Sequence, residues 1–289
     1  RYCTPRHTGT INLKRLQQIN YNGKLFDDDA PIFTAANRGY RYGDGFFETM
    51  RVVNNKFPLK HLHVQRIERS IATLKYIFPK TTIENIFQQA IELCHINNCK
   101  KSARARLSFF NGNGNVFDGN TPMEYLIETS PLSEKLNNLK EEGLTIGICN
   151  DVKKTCDAYA NLKSANYLFS RVGVDFAKIN NWEDALITNH QGNICESTIA
   201  NIFWVADGNI FTPPLSEGCV QGVMREYLLS KISVTEKKCS RENLLHADEI
   251  FLTNATSGIR WIQHLEGKQY SNNTVEKIYT DFITPLWAS

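Results

Sequence analysis

The sequence predicts a mixed class of helices and strands, α/β, arranged in two domains. Three observations lead there. The chain has 289 residues, which suits one large domain or two ordinary ones. Runs with helical period and short β-type runs interleave along its length. A charged stretch opening on Ser-Pro at 130–142 (S-P-L-S-E-K-L-N-N-L-K-E-E) separates two strand-like runs. A boundary placed there gives an N-terminal extension at 1–18, a smaller domain at 19–130, a linker at 131–142 and a larger domain at 143–289.

The bulk numbers narrow the function. A hydrophobic fraction of 42% and a charged fraction of 22% are those of a soluble globular protein. A net charge of +3 is too small to argue for nucleic acid or a membrane surface. No apolar run approaches the length of a membrane span. The eight cysteines include no C-x-x-C pair, so neither a zinc site nor a redox dithiol is expected. Free thiols in a reducing cytoplasm are the expectation instead. The first 18 residues are polar and basic and lack the apolar core of a signal peptide.

The elements follow in order. Residues 19–25 alternate around Asn22-Gly23, a strong hairpin signal. Glycines 39, 43 and 45 mark a turn into a strand, F-F-E-T-M-R-V-V. A helix at 59–78 carries a stripe of Leu59, Leu62, Ile67, Ile71, Leu74 and Phe78, with His63, Arg66 and Ser70 at its edge. A second helix covers 83–96, and strands cover 103–110 and 124–128. After the linker come a strand at 144–149 and a helix whose buried stripe is Ala165, Leu168, Val172, Phe176 and Ile179. A meander follows: strands at 185–188, 194–205 and 209–212, with turn residues between them. A Gly-bearing loop leading into a helix within 218–232 and strands within 248–261 complete the larger domain.

Chemistry concentrates in four places. Lys163 lies at a loop-to-helix junction in D-A-Y-A-N-L-K-S-A-N-Y. A lysine there either snorkels to solvent or, held against apolar surface, loses its proton readily and acts as a nucleophile or proton shuttle. Glu196 interrupts an apolar strand; it either points outward or is buried with a partner. The helix start after the Gly218 loop is either a plain connection or a set of free amides for an anion, and Arg66 is either a solvated charge or a planar fork for a buried phosphate. Small polar residues at the strand end near 253–257 are a second anion-friendly loop. Pyridoxal 5'-phosphate needs such a set: a lysine, an acid for the ring nitrogen and a cup for the phosphate.

The motifs G-D-G-F-F-E-T at 43–49, H-V-Q-R-I-E-R-S at 63–70, K-S-A-N-Y at 163–167, E-S-T-I-A-N-I-F at 196–203, G-V-M-R at 222–225 and T-N-A-T-S-G-I at 253–259 occur in one order. In these the sequence resembles the fold-type IV, or class IV, pyridoxal-phosphate aminotransferases, from about residue 19 to 267. That family includes branched-chain aminotransferase, D-amino-acid aminotransferase and 4-amino-4-deoxychorismate lyase. The resemblance implies two α/β domains with the cofactor in the cleft between them, and a homodimer whose loops close each other's sites. It implies that Lys163 carries pyridoxal 5'-phosphate as a Schiff base and that Glu196 pairs with the ring nitrogen. Arg66, the amides of Val223 and Met224, and the segment Asn254-Ala255 would hold the phosphate. Thr256, with Phe47 and Thr49, would meet the substrate. Phe46 and Phe47 are either core or an apolar surface for a substrate ring.

Within the family, G-x-V-x-G-V-M-R at 218–225 leans toward the lyase, which forms 4-aminobenzoate and pyruvate. The alternative is a branched-chain or other amino-acid aminotransferase, and a minor one is a non-catalytic binder of the cofactor. Many relatives have an arginine where Asn111 stands, so a substrate-carboxylate role passes to Arg104 or Arg106.

Overall fold

A computed structural model describes residues 17–99 and 101–288. The expected extension 1–18 lies almost wholly outside the described residues; Gln18 opens the first strand.

Two sheets organise the chain. The first contains β1 (Gln18–Tyr21), β2 (Lys24–Asp27), β3 (Gly45–Val53), β4 (Ser102–Phe110) and β5 (Glu124–Pro131), in the order β2-β1-β5-β4-β3. All its pairs are antiparallel. The β1–β2 hairpin turns on Asn22 and Gly23, whose φ values of 51° and 84° are the left-handed pair such a tight turn requires. A short helix, α1 (Arg38–Tyr42), precedes β3. Helices α2 (Lys60–Leu74) and α3 (Ile83–Ile96) follow it, and their apolar residues share one core with the sheet. Thr82 caps α3, its side chain accepting from the Asn85 amide at 3.1 Å. The strand expected at 124–128 runs on to Pro131, so the linker region begins inside the sheet.

The second sheet is larger. Its strands are β6 (Leu144–Lys154), β7 (Asp184–Asn189), β8 (Ile194–Ser197), β9 (Asn201–Ala206), β10 (Asn209–Thr212), β11 (Thr235–Glu236), β12 (Glu249–Asn254), β13 (Gly258–Leu265) and β14 (Lys268–Gln269). The path β9-β12-β13-β6-β7-β8 closes on itself, because β8 also pairs with β9 through Glu196 and Asn201. Leu144, Ile146, Leu186, Ile202, Trp204, Ile250 and Ile262 share one core. Neighbouring residues of the same strands, Phe203, Val205, Phe251, Ile259 and Trp261, share another. That second core includes α5 (Val223–Lys231) and the C-terminal α7 (Asn273–Ile278) and α8 (Thr284–Ala288). Burial on both faces is why these strands read as continuous apolar runs rather than alternating ones. Helix α4 (Leu168–Ile179) packs on β6 and β7, and α6 (Arg241–His246) leads into β12.

Three sequence expectations need correction. The 194–205 run is two strands, broken at Thr198–Ala200 by the turn that lets β8 and β9 meet. The stripe expected on α4 is not its buried face: Leu168 and Ile179 are 69% and 81% exposed, while Ser170, Gly173 and Ala177 face inward. A Cβ on Gly173 would lie 2.9 Å from both Ile187 and Thr198, so small residues are needed where the helix lies so close to the sheet. On α2, His63, Arg66 and Ser70 are buried beside Ile67 rather than set at the edge of the stripe.

Candidate active site

The alternation of β3 sorts its two phenylalanines. Phe46 turns into the core and stacks on Phe109 at 5.0 Å. Phe47 and Thr49 face the other way, into a cavity of about 310 Å3. Thr49 pairs with Arg106 across the ladder, and Arg51 with Arg104. Arg104 and Arg106 therefore share that face, and both line the cavity. The Arg106 guanidinium sits 3.8 Å from the Phe47 ring centre. Asn111 lies elsewhere: it is buried, donating to Asp44 at 3.2 Å.

Lys163 reaches this cavity from the second half of the chain. Its segment docks on β3, with the Phe47 amide donating to the Lys163 carbonyl at 3.0 Å and the Ala165 amide to the Gly45 carbonyl at 2.9 Å. Gly45 permits the tight packing of β3 on β4, since a Cβ there would stand 2.4 Å from the Phe109 carbonyl oxygen. Asn161 ties the same segment to the loop before α5, donating to the carbonyls of Leu215 and Cys219 at 2.9 and 2.6 Å. The Lys163 amine has no hydrogen-bond acceptor among the described residues. It sits 4.6 Å from the Phe47 ring centre and 5.4 Å from that of Tyr167. Burial, reinforced by Arg66 and Arg106 and opposed by Glu48 and Glu196, pulls its pKa down to about 8. The snorkelling reading of Lys163 does not hold.

Arg66 is presented to the cavity by α2 and held from behind by Glu48 of β3. The fork is bidentate: Nε and Nη2 each donate to a Glu48 oxygen at 2.6 Å. His63 completes the cluster, its Nδ1 2.7 Å from Glu48 Oε2. Burial would raise the Glu48 pKa, but Arg66 and His63 outweigh it and hold the carboxyl down at about 2. The third Arg66 nitrogen, Nη1, has only the Gln221 carbonyl at 3.4 Å.

Glu196 is buried, and its partner is a residue that sequence reading passed over. Lys154 makes an ion pair with Oε1, and the Val220 amide donates to Oε2 at 2.8 Å. Lys153-Lys154 looks like solvated charge. A register shift in the β6–β7 ladder between Cys149 and Lys153 buries the second lysine and leaves the first exposed.

The opposite wall supplies amides and hydroxyls. Gly222 starts α5 without a side-chain cap, and a Cβ there would lie 1.9 Å from Asn201 Oδ1. The first-turn amides of Val223 and Met224 have no carbonyl within the helix to pair with. Asn254 folds onto its own loop, accepting from the amides of Thr256 and Ser257 at 3.0 and 2.8 Å. Thr253 lines the cavity with its buried hydroxyl unpartnered.

The residues expected to bind cofactor or substrate all line this one cavity: Phe47, Thr49 and Arg66 from the first sheet's side, Lys163 and Glu196 from the second, Val223 and Met224 on α5, and Asn254, Ala255 and Thr256 on the β12–β13 loop. Tyr167, Gly222 and Thr253 line it too and were named only inside motifs. An amine of lowered basicity, free first-turn amides with a part-free guanidinium, and a buried carboxylate fit a phosphate-bearing aldehyde cofactor with a basic ring nitrogen. The architecture and this cavity are those of an enzyme acting on amines.

Comparison with known proteins gives the family. The model of the family described as Amino-transferase class IV matches residues 45–265, so the chain belongs to the class IV aminotransferases, whose cofactor is pyridoxal 5'-phosphate. The aminodeoxychorismate lyase of Vibrio harveyi is 28% identical over 236 residues, covering 77% of this chain and 83% of that one. The branched-chain-amino-acid aminotransferase of Escherichia coli is 26% identical over 276 residues, covering 90% and 88%. The branched-chain aminotransferase of Thermoproteus uzoniensis, solved with norvaline, superposes with a TM-score of 0.83 at 23% identity, covering 94% of this chain and 95% of that one. Among the described residues no helix is long and apolar enough to cross a membrane.

Proposed function

We propose that the enzyme is a lyase acting on 4-amino-4-deoxychorismate and releasing 4-aminobenzoate and pyruvate. The observation that carries this reading is the pair Arg104 and Arg106 beside Phe47 on one cavity wall. Two guanidinium groups next to an aromatic face suit a substrate with an unsaturated ring and two carboxylates. Arg106 is partly engaged, 3.6 Å from Glu128, whereas Arg104 has no ion pair or hydrogen bond among the described residues. The resemblance of the 218–225 loop to the lyase supports the same choice.

Bound pyridoxal phosphate supplies an electron sink for charge that develops beside the substrate amine. The chain's residues do the rest in this reading. Lys163 binds the cofactor and then moves protons through Nζ, which is neutral above about pH 8 and is present in useful amount somewhat below it. Glu196 holds the proton on the ring nitrogen. Arg66 and the amides of Val223 and Met224 hold the phosphate, with the Asn254-Ala255 segment beside them. Thr256, Thr49 and Phe47 orient the substrate. The seven cysteines the structure describes are all free, which suits a cytoplasmic enzyme. The homodimer implied by the family resemblance belongs to this reading as well.

An amino-acid aminotransferase is the second reading. The Escherichia coli relative favours it, and glutamate also carries two carboxylates for the two arginines. The test is one preparation in two tubes, aminodeoxychorismate in one and leucine with 2-oxoglutarate in the other. Pyruvate in the first tube is expected. Rapid glutamate formation in the second with no pyruvate in the first overturns the lyase reading. Borohydride reduction is expected to fix the cofactor on Lys163, and an adduct on another lysine removes its assigned role.

A further inference from the structure

The ion pair behind Glu196 is not accounted for by the roles above. Lys154 is buried, its side chain 5% exposed, and it does not line the main cavity. It approaches Glu196 from the far side, where a second cavity of about 500 Å3 opens beside Tyr167 and Val220. Its ammonium bonds Glu196 Oε1 and the Ala160 carbonyl at 3.4 Å, and lies 4.8 Å from the Phe169 ring centre. Glu196 is paired on both sides, with Ile187 of β7 and Asn201 of β9, which holds its backbone within the sheet. With one oxygen held by Lys154 and the other by the Val220 amide, the carboxylate keeps a fixed aim and spare lone pairs for the cavity.

We propose that Lys154 is a positioning residue that keeps Glu196 ionised and aimed into the cavity before any cofactor arrives. A buried carboxylate without a cation takes up a proton rather than bear the desolvation. A carboxyl that already carries a proton must give it up when a protonated ring docks against it, so binding then takes up one proton fewer. Other groups near the pair do not replace Lys154. Burial raises the thiols of Cys195 and Cys219 and the phenol of Tyr167, so all three are neutral. Lys163, across the cavity, is drawn down to about 8. Lys154 itself would lose basicity through burial, but Glu196 outweighs that and raises it. Lys154 thus acts through Glu196 on the ring end of the site, and touches neither cofactor nor substrate. The inference rests on the assignment of Glu196 to the ring nitrogen.

The test is proton uptake, not turnover. Apo-enzyme is titrated with pyridoxal 5'-phosphate in two buffers of different ionisation heat, which gives the protons taken up per molecule bound. K154Q keeps a hydrogen-bond donor beside Glu196 and removes only the charge, so it is the variant best placed to fold. The expected result is that K154Q takes up fewer protons than wild type, approaching one fewer, and that K154R matches wild type. With E196Q as background, adding K154Q is expected to change the uptake little. The infrared band of a protonated buried carboxylic acid is expected in apo K154Q, lost in K154Q/E196Q and absent from apo wild type. A purely structural lysine would lower the melting temperature and leave both readouts unchanged. Equal proton uptake and no new band in K154Q therefore overturn the proposal. Wild-type uptake that E196Q leaves unaltered would instead sink the assignment of Glu196 itself.

Discussion

Two buried carboxylates flank the cavity, and they are used in opposite senses. On the first sheet's side, Glu48 stands behind Arg66, and it is the guanidinium that lines the cavity. On the second sheet's side, Lys154 stands behind Glu196, and it is the carboxylate that lines the cavity. Each pair is nearly neutral as a unit, which makes burial tolerable. Each still shows one sign to the ligand. A site with a cationic end and an anionic end orients a molecule that carries a phosphate at one end and a basic nitrogen at the other. Lys163 lies between the ends and feels both: Arg66 lowers its proton affinity, and Glu48 and Glu196 raise it. The pairs also differ in how far the inner partner is committed. Glu48 accepts from Arg66 on both oxygens and contacts His63 as well, whereas Glu196 has one protein partner on each oxygen.

The comparison is broken most severely by removing charge from the presented carboxylate. Glu196→Gln is expected to keep cofactor binding and to lower kcat by about 10²–10⁴-fold, the range for loss of a group that holds a catalytic proton. Wild-type turnover in that variant ends the role. Removing the presented cation tests stability instead. Arg66→Leu leaves Glu48 buried without its main partner, which costs about 3–5 kcal/mol, and it weakens phosphate binding as well. Denaturant unfolding of the apo-protein checks the first effect and spectral titration with the cofactor the second. A variant as stable as wild type would mean that the fork holds no charge in place.

The smallest effect is a pH dependence that belongs to Glu48. Its folded pKa of about 2 lies below the ordinary 4.5, so the carboxylate adds stability above pH 4.5 and loses it as pH falls through about 2. The difference amounts to about 3 kcal/mol at neutral pH. Glu48→Gln is expected to be less stable than wild type near pH 6, with the gap narrowing between about pH 4.5 and 2. A gap that stays constant over that range refutes the low Glu48 pKa.

Much of this was legible from residue order. Asn22-Gly23 gave a hairpin because both positions require left-handed backbone, and few residues other than Asn and Gly adopt it. The helix expected at 83–96 is α3, and it is amphipathic: Ile86, Phe87, Ala90, Leu93 and Cys94 form one buried stripe against one sheet. Motif order named Lys163, Arg66 and Glu196, because the residues that reach a small ligand are few and their types are set by its chemistry. Alternation on β3 left Phe46 and Phe47 undecided, for period two says that they face opposite sides but not which side is core.

Other features had no local signal. Periodicity misjudged α4, because the distance between helix and sheet, not the apolarity of each residue, chose Ser170, Gly173 and Ala177 for the buried face. Glu48 lies inside the 43–49 motif with no role attached to it, and Lys154 lies in ordinary strand sequence. They matter because a ladder register and a bulge bring them within contact of Arg66 and Glu196, 18 and 42 residues away along the chain. The sequence by itself determined the inventory of the site: which chemical groups are available, and on which kinds of element. Only the tertiary structure decided how those groups are paired behind the cavity wall. An ion pair's partners are chosen by distance and desolvation in three dimensions, and neither is written in the spacing of residues along the chain.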